Sequence, residues 1–163
     1  MPMQGIVQPE LLMVDEGLRL RRYDGGHAFA LPWYQDEETL WLVDGCREPY
    51  DEAKLARMYR YLDAQGELYW IEVRENGAWR PIGDVTFWAE DMPIVIGEVA
   101  YRGRGIGTKV IRALVGRGRA LGFDSLAVQE IYHYNAASRR CFEKAGFCET
   151  GSTDVGVTLR LTL

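Results

Sequence analysis

IVIGEVAYRGRGIG, residues 94–107, constrains the fold of this 163-residue chain more than any other stretch. Its first half, Ile94–Ala100, is apolar and rich in β-branched residues, which predicts a strand. Its second half contains three closely spaced glycines. The residues from about Gly105 to Leu121 then repeat apolar side chains with the period of a helix, and Gly122 ends it. The stretch therefore predicts a strand that runs through a glycine loop into a helix.

A loop of this kind suits a phosphate ligand. Glycines let the backbone turn tightly and approach a ligand, and the free N–H groups at the start of a helix attract an anion. Arg102 and Arg104 add positive charge that can pair with phosphate oxygens. The residues expected to hold the phosphates are Arg102, Gly103, Arg104, Gly105, Ile106, Gly107 and Thr108.

Two common nucleotide loops fit the stretch less well. A P-loop requires glycine, lysine and then serine or threonine, whereas the order here is Gly107-Thr108-Lys109. A Rossmann loop is matched by Gly103-x-Gly105 but has Thr108 where a small residue is required. Glu130 could act as its ribose-binding acid, but too few strand–helix units follow for a dinucleotide fold.

A second segment, Asn135–Phe147 (NAASRRCFEKAGF), follows one helix and one strand later. Together with Arg102-x-x-Gly105-x-Gly107, it resembles the two signatures of the GNAT superfamily of N-acetyltransferases. The resemblance covers roughly Ile82 to the C-terminus. Around Gly105–Arg112 (GIGTKVIR) it is similar to the aminoglycoside-modifying branch.

The resemblance implies that acetyl-CoA binds in a gap where two parallel strands, Ile94–Ala100 and Ser125–Gln129, splay apart. Backbone groups near Gly97 and Val99 would pair with the pantetheine arm, and Gly97 could supply a bulge. The cofactor contacts expected from the second motif are Asn135, Ser138, Arg139 and Phe142. Acetyl-CoA is thus the expected acetyl donor.

The implied reaction is direct attack of an amine on the thioester, which needs a base because an ammonium is not a nucleophile. Glu98, on the strand beside the thioester, is the first candidate for the base and Asp84 the second. Many family members protonate the leaving thiolate with a tyrosine, but Phe142 stands at that position. Either the thiolate leaves unassisted, or Tyr134 or Tyr132 protonates it.

The charge distribution points to a cationic acceptor. Residues 101–121 hold six basic residues and no acid, which leaves 13 basic against 24 acidic residues elsewhere, a net charge of −11. Aromatic and acidic side chains suited to a cation occur together in the N-terminal half. The expected acceptor contacts are Trp33, Tyr34, Asp36 and Asp84.

The other elements predict one domain over residues 1–163. The expected strands are Leu18–Tyr23, Glu67–Arg74, Ile82–Ala89, Ile94–Ala100, Ser125–Gln129 and Val155–Leu163, and the expected helices are Trp33–Val43 with Asp36 as its cap, Asp51–Ala64, 105–121 and Ala136–Ala145. This order predicts an α+β fold: a mixed, mostly antiparallel central sheet with helices on both faces and a splayed parallel strand pair.

The composition indicates the cellular compartment and the kinds of partner to expect. Three cysteines without C-x-x-C spacing are typical of reduced thiols in a cytoplasmic protein, and two distant histidines give no reason to expect a metal. A net charge of −5 and the absence of a long apolar run argue against nucleic acid and membrane as partners. We expect a small-molecule amine as substrate, such as an aminoglycoside or polyamine, and leave a homodimer open. A protein N-terminus or lysine as acceptor, and a non-catalytic acetyl-CoA-binding module, are the alternatives.

Overall fold

The structure of the protein is a computed structural model, and it describes residues 3–163. Its strands are β1 (Leu11–Asp15), β2 (Leu18–Arg22), β3 (Glu67–Glu75), β4 (Ala78–Phe87), β5 (Ile94–Ile96), β6 (Ser125–Tyr132), β7 (Cys148–Ser152) and β8 (Gly156–Thr162). Its α-helices are α1 (Glu37–Asp44), α2 (Glu52–Gln65), α3 (Ile106–Ala120) and α4 (Ala136–Lys144), with 3-10 helices at Ala28–Tyr34 and Val99–Tyr101. None of the helices in the described part of the chain is long and apolar enough to cross a membrane.

The strands form two antiparallel sheets, in the order β1-β2-β3-β4-β5 and β6-β8-β7. Strand β3 shows why helices cover both faces of the larger sheet. Tyr69 and Ile71 pack into one hydrophobic core with α3 and α4, whereas Leu68 and Trp70 pack into a second core with α1 and α2. Successive side chains of a strand point to opposite faces, so both faces of this strand are buried. The predicted α+β class with helices on both faces is confirmed.

The two sheets meet at β5 and β6. The Ala127 N–H donates to the Ala89 carbonyl at 2.8 Å, and the Gln129 N–H donates to the Asp91 carboxylate at 3.1 Å, so the two segments start side by side in the same direction. Beyond this point the described strands share no ladder, and a cavity lies between Ile94–Val95 and Ile131–Tyr132. This is the splayed pair that the sequence led us to expect.

Several predicted bounds were wrong. The segment Trp33–Val43 is not one helix: a 3-10 helix ends at Tyr34, and α1 begins after Asp36, whose carboxylate accepts the Thr39 N–H as the predicted cap. The strand predicted to reach Ala100 ends at Ile96. The N–H groups of Gly97 and Glu98 both donate to the Ile82 carbonyl, which is a β-bulge that ends regular pairing.

Two strands were missed. Strand β1 lies at the edge of the larger sheet, with Leu12 and Val14 packed against the core and Leu11 and Met13 exposed. Strand β7 contains Gly151 at a register shift and exposes most of its side chains. Strand β1 is a run of four apolar residues and β7 is mostly polar with an internal glycine, so neither shows the apolar–polar alternation by which a half-buried strand is recognised in a sequence.

Candidate active site

The outer edge of β5 carries backbone groups that can pair with an extended ligand. Val95 pairs with Asp84, and the Gly97 N–H is bonded to the Ile82 carbonyl, so these two residues face β4. By the alternation of an antiparallel ladder, the N–H and C=O of Ile94 and Ile96 point to the opposite side, into the gap beside β6. The structure therefore presents Ile94 and Ile96, rather than the expected Gly97 and Val99, as the residues of β5 whose backbone groups face the gap.

Gly97 has a different role. A Cβ on this residue would lie 2.3 Å from the Trp33 ring. Only glycine therefore fits where the 3-10 helix crosses the bulge. Val99 lies in the following 3-10 turn and is exposed.

The glycine loop has the backbone that its sequence predicts. Gly103 and Gly105 adopt φ angles of +73° and +78°, which favour glycine, and Cβ atoms there would meet no other atom within 4 Å. Gly105 caps α3 without any side-chain hydrogen bond, so the N–H groups of its first turn are open to an anion. A Cβ on Gly107 would lie 3.3 Å from the Cys141 sulfur, so this glycine permits close packing of α3 on α4.

A groove with a volume of about 300 Å³ extends from this loop along α4 and β5. Its charged lining residues are Arg102, Arg140 and Lys144, and no acidic residue among residues 3–163 lines it. The sequence-predicted residues in its lining are Arg102, Gly103, Gly105, Ile106, Gly107, Thr108, Asn135 and Ser138. The groove thus combines open helix N–H groups with positive charge and the outward edge of β5, which fits a phosphate-bearing cofactor with an extended amide arm.

Arg139 and Arg104 do not line this groove. The Arg139 guanidinium contacts Glu143 at 3.6 Å and Glu149 at 3.5 Å on the surface of α4. The Arg104 guanidinium lies 5.1 Å from the centre of the Tyr101 ring. Arg140, one residue further along the helix, lines the groove in place of Arg139. Sequence reasoning missed Arg140 and Lys144, although their spacing of four residues places them on one face of α4.

A second cavity of about 250 Å³ lies in the fork between β5 and β6. It shares Leu42, Val43, Ile94, Val95, Asn135 and Ser138 with the groove. Its charged lining residues are Asp91 and Glu130, and no basic residue in the described part of the chain lines it. Burial raises the pKa of the Asp91 carboxyl against the opposing effect of the N–H donors of Gln129 and Met92. We refer to this space as the fork cavity.

Asn135 and Phe142 both line the fork cavity. The Asn135 carboxamide oxygen accepts the Ser138 N–H at 3.3 Å, which caps α4, and its Nδ2 donates to the Leu42 carbonyl at 3.4 Å. Asn135 thus joins α4 to α1 across the gap. Phe142 is fully buried and packs edge-on against Phe147, so the position of the family tyrosine holds a ring without a hydroxyl.

The two tyrosines considered as proton donors lie in one aromatic stack. Tyr134 is stacked between Trp41 and Tyr132, and its hydroxyl donates to the Trp41 carbonyl. Tyr132 lines the fork cavity, whereas Tyr134 does not. Burial raises the pKa of Tyr132, with a further contribution from Glu130, so this phenol keeps its proton at neutral pH.

Glu98 is not brought to either cavity. Its carboxylate pairs with the Arg80 guanidinium at 3.1 Å, on the side of the bulge where Arg80 also approaches Glu75. The geometry therefore gives no support to Glu98 as the base.

Three predicted acceptor residues are buried in the core. Trp33 and Tyr34 belong to the second hydrophobic core, and Asp84 is only 2% exposed. The hydroxyls of Tyr34 and Tyr59 each donate to the same Asp84 oxygen at 2.8 Å. Burial raises the pKa of Asp84 to about 6 despite these two donors. In this structure the cluster holds the 3-10 helix and α2 against β4, rather than facing a ligand.

Asp36 is exposed at the first turn of α1. The Thr39 N–H and hydroxyl lower the pKa of its carboxyl, helped by the charge of Arg102. Sequence reasoning missed Thr39, which is buried, accepts a hydrogen bond from Arg102 and lines the groove. No sequence pattern marks it beyond its place three residues after the cap.

Comparisons with known proteins identify solved structures with a similar fold. The fold resembles a solved domain from Methanocaldococcus jannaschii, with a TM-score of 0.77 and 19% identity over 91% of this chain and 100% of that one. It also resembles aminoglycoside acetyltransferase AAC(6')-Ib solved with acetyl-CoA (TM-score 0.72, 20% identity, 90% and 94% covered). A third is RimL, a ribosomal L7/L12 α-N-protein acetyltransferase solved with coenzyme A (TM-score 0.76, 15% identity, 94% and 98% covered).

No curated protein matches the sequence at a significant level. The sequence itself matches the acetyltransferase (GNAT) domain over residues 18–148, which is most of the chain. The match includes the glycine loop, the fork between β5 and β6 and the second motif. The chain therefore belongs to the GNAT family of acetyltransferases.

Proposed function

We propose that this acetyl-CoA-dependent N-acetyltransferase modifies a small cationic amine whose reacting end enters the fork cavity. An aminoglycoside or a polyamine has the required chemistry. Acetyl-CoA supplies an activated acetyl group as a thioester. The groove holds the donor, and the adjoining cavity holds the acceptor.

The observation that carries the proposal is the separation of charge between the two cavities. Among the residues that the structure describes, the groove is lined by basic and not acidic side chains, and the fork cavity by the acidic Asp91 and Glu130 and no basic side chain. Such complementarity attracts an anionic cofactor to one side and a cation to the other. A volume of about 250 Å³ suits the amine-bearing end of a small molecule.

Glu130 is the carboxylate that best fits the role of base. It lines the fork cavity, and no ion pair engages it within residues 3–163. It also lies at a register shift of β6, between Val128 and Ile131, where a bulge can redirect a side chain toward a site. Asp91 is less suited, because one of its oxygens accepts the N–H groups of both Met92 and Gln129.

Tyr132 is the phenol that best replaces the hydroxyl missing at Phe142. It lines the same cavity as Phe142 and Glu130, so its hydroxyl can donate a proton to the leaving thiolate there. The hydroxyl of Tyr134 is engaged by the Trp41 carbonyl. Tyr134 instead supports the stack that holds Tyr132 in place.

The test compares CoA release with a polyamine, an aminoglycoside, a neutral amine of similar size and a peptide. We expect the two polycations to react with the highest kcat/KM. Preference for the neutral amine or the peptide would refute the cationic-amine assignment. Replacing Glu130 by Gln should lower kcat by roughly 100-fold or more and flatten its pH profile, whereas the matched Glu98→Gln variant should keep both. The reverse pattern would return the base to Glu98.

A further inference from the structure

Strand β1 forms one edge of the larger sheet, and two of its residues face solvent with both backbone and side chain. The Arg22 N–H donates to the Glu10 carbonyl at 2.9 Å, so these two residues are a hydrogen-bonded pair of the ladder. By the alternation of such a ladder, the N–H and C=O groups of Leu11 and Met13 point away from β2. Their side chains are 46% and 55% exposed.

This edge has the features of a strand-pairing surface. No other strand in residues 3–163 pairs with the outer side of β1. Unpaired backbone groups beside exposed apolar side chains are a template for another strand. Leu11 and Met13 carry both features, so an added strand would satisfy their backbone and cover their side chains together.

A second copy of β1 fits this edge in an antiparallel register with Leu12 opposite its own counterpart. In that register Leu11 of each copy lies opposite Met13 of the other. The outward groups of these residues then form two hydrogen-bonded pairs, which contain about four backbone hydrogen bonds. The two-fold symmetry of the pairing gives every outward group of this short window a partner.

The residues that flank the window disfavour the neighbouring registers. If the symmetry axis moves to Leu11, Pro9 lies opposite Met13, and proline has no N–H to donate. If the axis moves to Met13, Glu10 lies opposite Glu16, and like charges directly opposite destabilise a strand pair. The sequence around β1 therefore selects the register centred on Leu12.

The same register continues the side-chain rows of the sheet. Leu12 lies beside Leu20, which is fully buried, and packs against the core under α3. Two copies would join these residues into one row of leucines on that face. On the opposite face, the exposed Leu11 and Met13 of each copy would cover each other. The apolar surface of this edge thus matches its own copy on both faces.

We propose that two copies of the protein associate through β1, antiparallel about Leu12, and join their five-stranded sheets into one continuous sheet. Strand β5 is at the other edge of the sheet, so the association leaves the groove and the fork cavity open. It is therefore independent of the proposed function. Because the paired window is short, we expect a weak dimer with a Kd in the micromolar range.

The first test is the molecular mass measured by sedimentation over a range of protein concentrations. The wild type should change from monomer to dimer as its concentration rises, and Leu11→Lys should stay monomeric because a lysine blocks an edge strand. Val7→Lys is the matched control, since Val7 is 82% exposed but lies outside β1. A monomeric wild type at every concentration, or a Leu11→Lys variant that dimerises as well as Val7→Lys, would overturn the proposal.

The second test examines the register by disulfide cross-linking in a Cys148→Ser background, which removes the exposed native thiol. Two Leu12→Cys copies would bring their Cα atoms to about 4.5 Å, within the range of a disulfide. Two Met13→Cys copies would hold theirs about 8 Å apart, which is too far. Cross-linking of Met13→Cys in preference to Leu12→Cys would refute this register.

Amide hydrogen exchange followed by NMR tests the backbone pairing itself. The N–H groups of Leu11 and Met13 should exchange fast in dilute protein and slowly in concentrated protein, whereas the Leu12 N–H should be protected in both because it faces β2. A dimer in which the first two amides stay fast would refute pairing through β1. CoA release is the readout of the proposed function, and its absence in a protein that passes these tests would refute that function alone.

Discussion

Replacing Asp84 by Asn should remove a pH-dependent cost of folding. The Asp84 carboxylate is buried between β4, the 3-10 helix and α2, and its hydrogen-bond donors are the hydroxyls of Tyr34 and Tyr59. Neither donor carries a charge that would compensate for burial of an anion. An Asn side chain keeps an oxygen that can accept both hydroxyls and does not ionise.

The magnitude follows from the pKa of Asp84, which burial raises from 3.8 to about 6. This difference corresponds to about 3 kcal/mol in the free energy of unfolding. Because the folded state holds the proton more tightly, the contribution is fully present below pH 3.8 and is lost as the pH rises through about 6. Wild type should therefore lose about 3 kcal/mol relative to Asp84→Asn over this interval.

The assay is urea unfolding of wild type and Asp84→Asn at a series of pH values from 2 to 8, with the difference between the two curves plotted against pH. Asp36→Asn is a matched control with the opposite sign, because hydrogen bonds from Thr39 lower the pKa of Asp36. Wild type should gain stability relative to that variant as the pH rises through the acidic range. Parallel curves for wild type and Asp84→Asn would refute the reasoning about the buried carboxyl.

Two further substitution pairs test the packing and the groove. Gly97→Ala should lower the free energy of unfolding by about 1–3 kcal/mol, because its Cβ would overlap the Trp33 ring. Gly116 lies on α3, where an added Cβ meets open space, so Gly116→Ala should be neutral or stabilising in the same urea assay. Equal effects of the two would contradict the close approach at the bulge. Arg140→Gln should weaken CoA binding roughly tenfold and Arg139→Gln should leave it unchanged, because Arg140 lines the groove and Arg139 does not. Calorimetry measures the Kd of CoA for both variants. Equal Kd values would refute this assignment.

The donor side of the site was predictable because its signals are local. The positive φ of Gly103 and Gly105 and the uncapped start of α3 follow from the residues of the loop themselves. The Asn135 cap of α4 is likewise encoded within three residues. These features depend only on residues that are neighbours in the chain, so the local sequence is sufficient to predict them.

The catalytic and acceptor sides depend on partners far along the chain. Glu98 is paired with Arg80, and Asp84 is held by Tyr34, which lies 50 positions away in sequence. Neither pairing leaves a periodic or local signal. The sequence alone leaves it uncertain by one residue which side of a helix faces a ligand. For this reason the sequence predicts Arg139 as a cofactor contact, whereas Arg140 lines the groove.

The same limit applies to the bulge after β5. An apolar run from Ile94 onward predicts a longer strand, but the N–H groups of Gly97 and Glu98 both bond to the Ile82 carbonyl, and this bulge ends the strand at Ile96. That early end shifts the ligand-facing backbone groups from Gly97 to Ile96. The register of an edge strand is therefore set by its neighbours rather than by its own residues.

Mass analysis of a reaction containing the wild-type protein, acetyl-CoA and a polyamine tests the central claim most directly. The account predicts an acetylated amine formed in equal amount to the CoA released, because the basic groove and the acidic fork cavity hold donor and acceptor side by side. Binding of acetyl-CoA without any acetylated polyamine or aminoglycoside would contradict it.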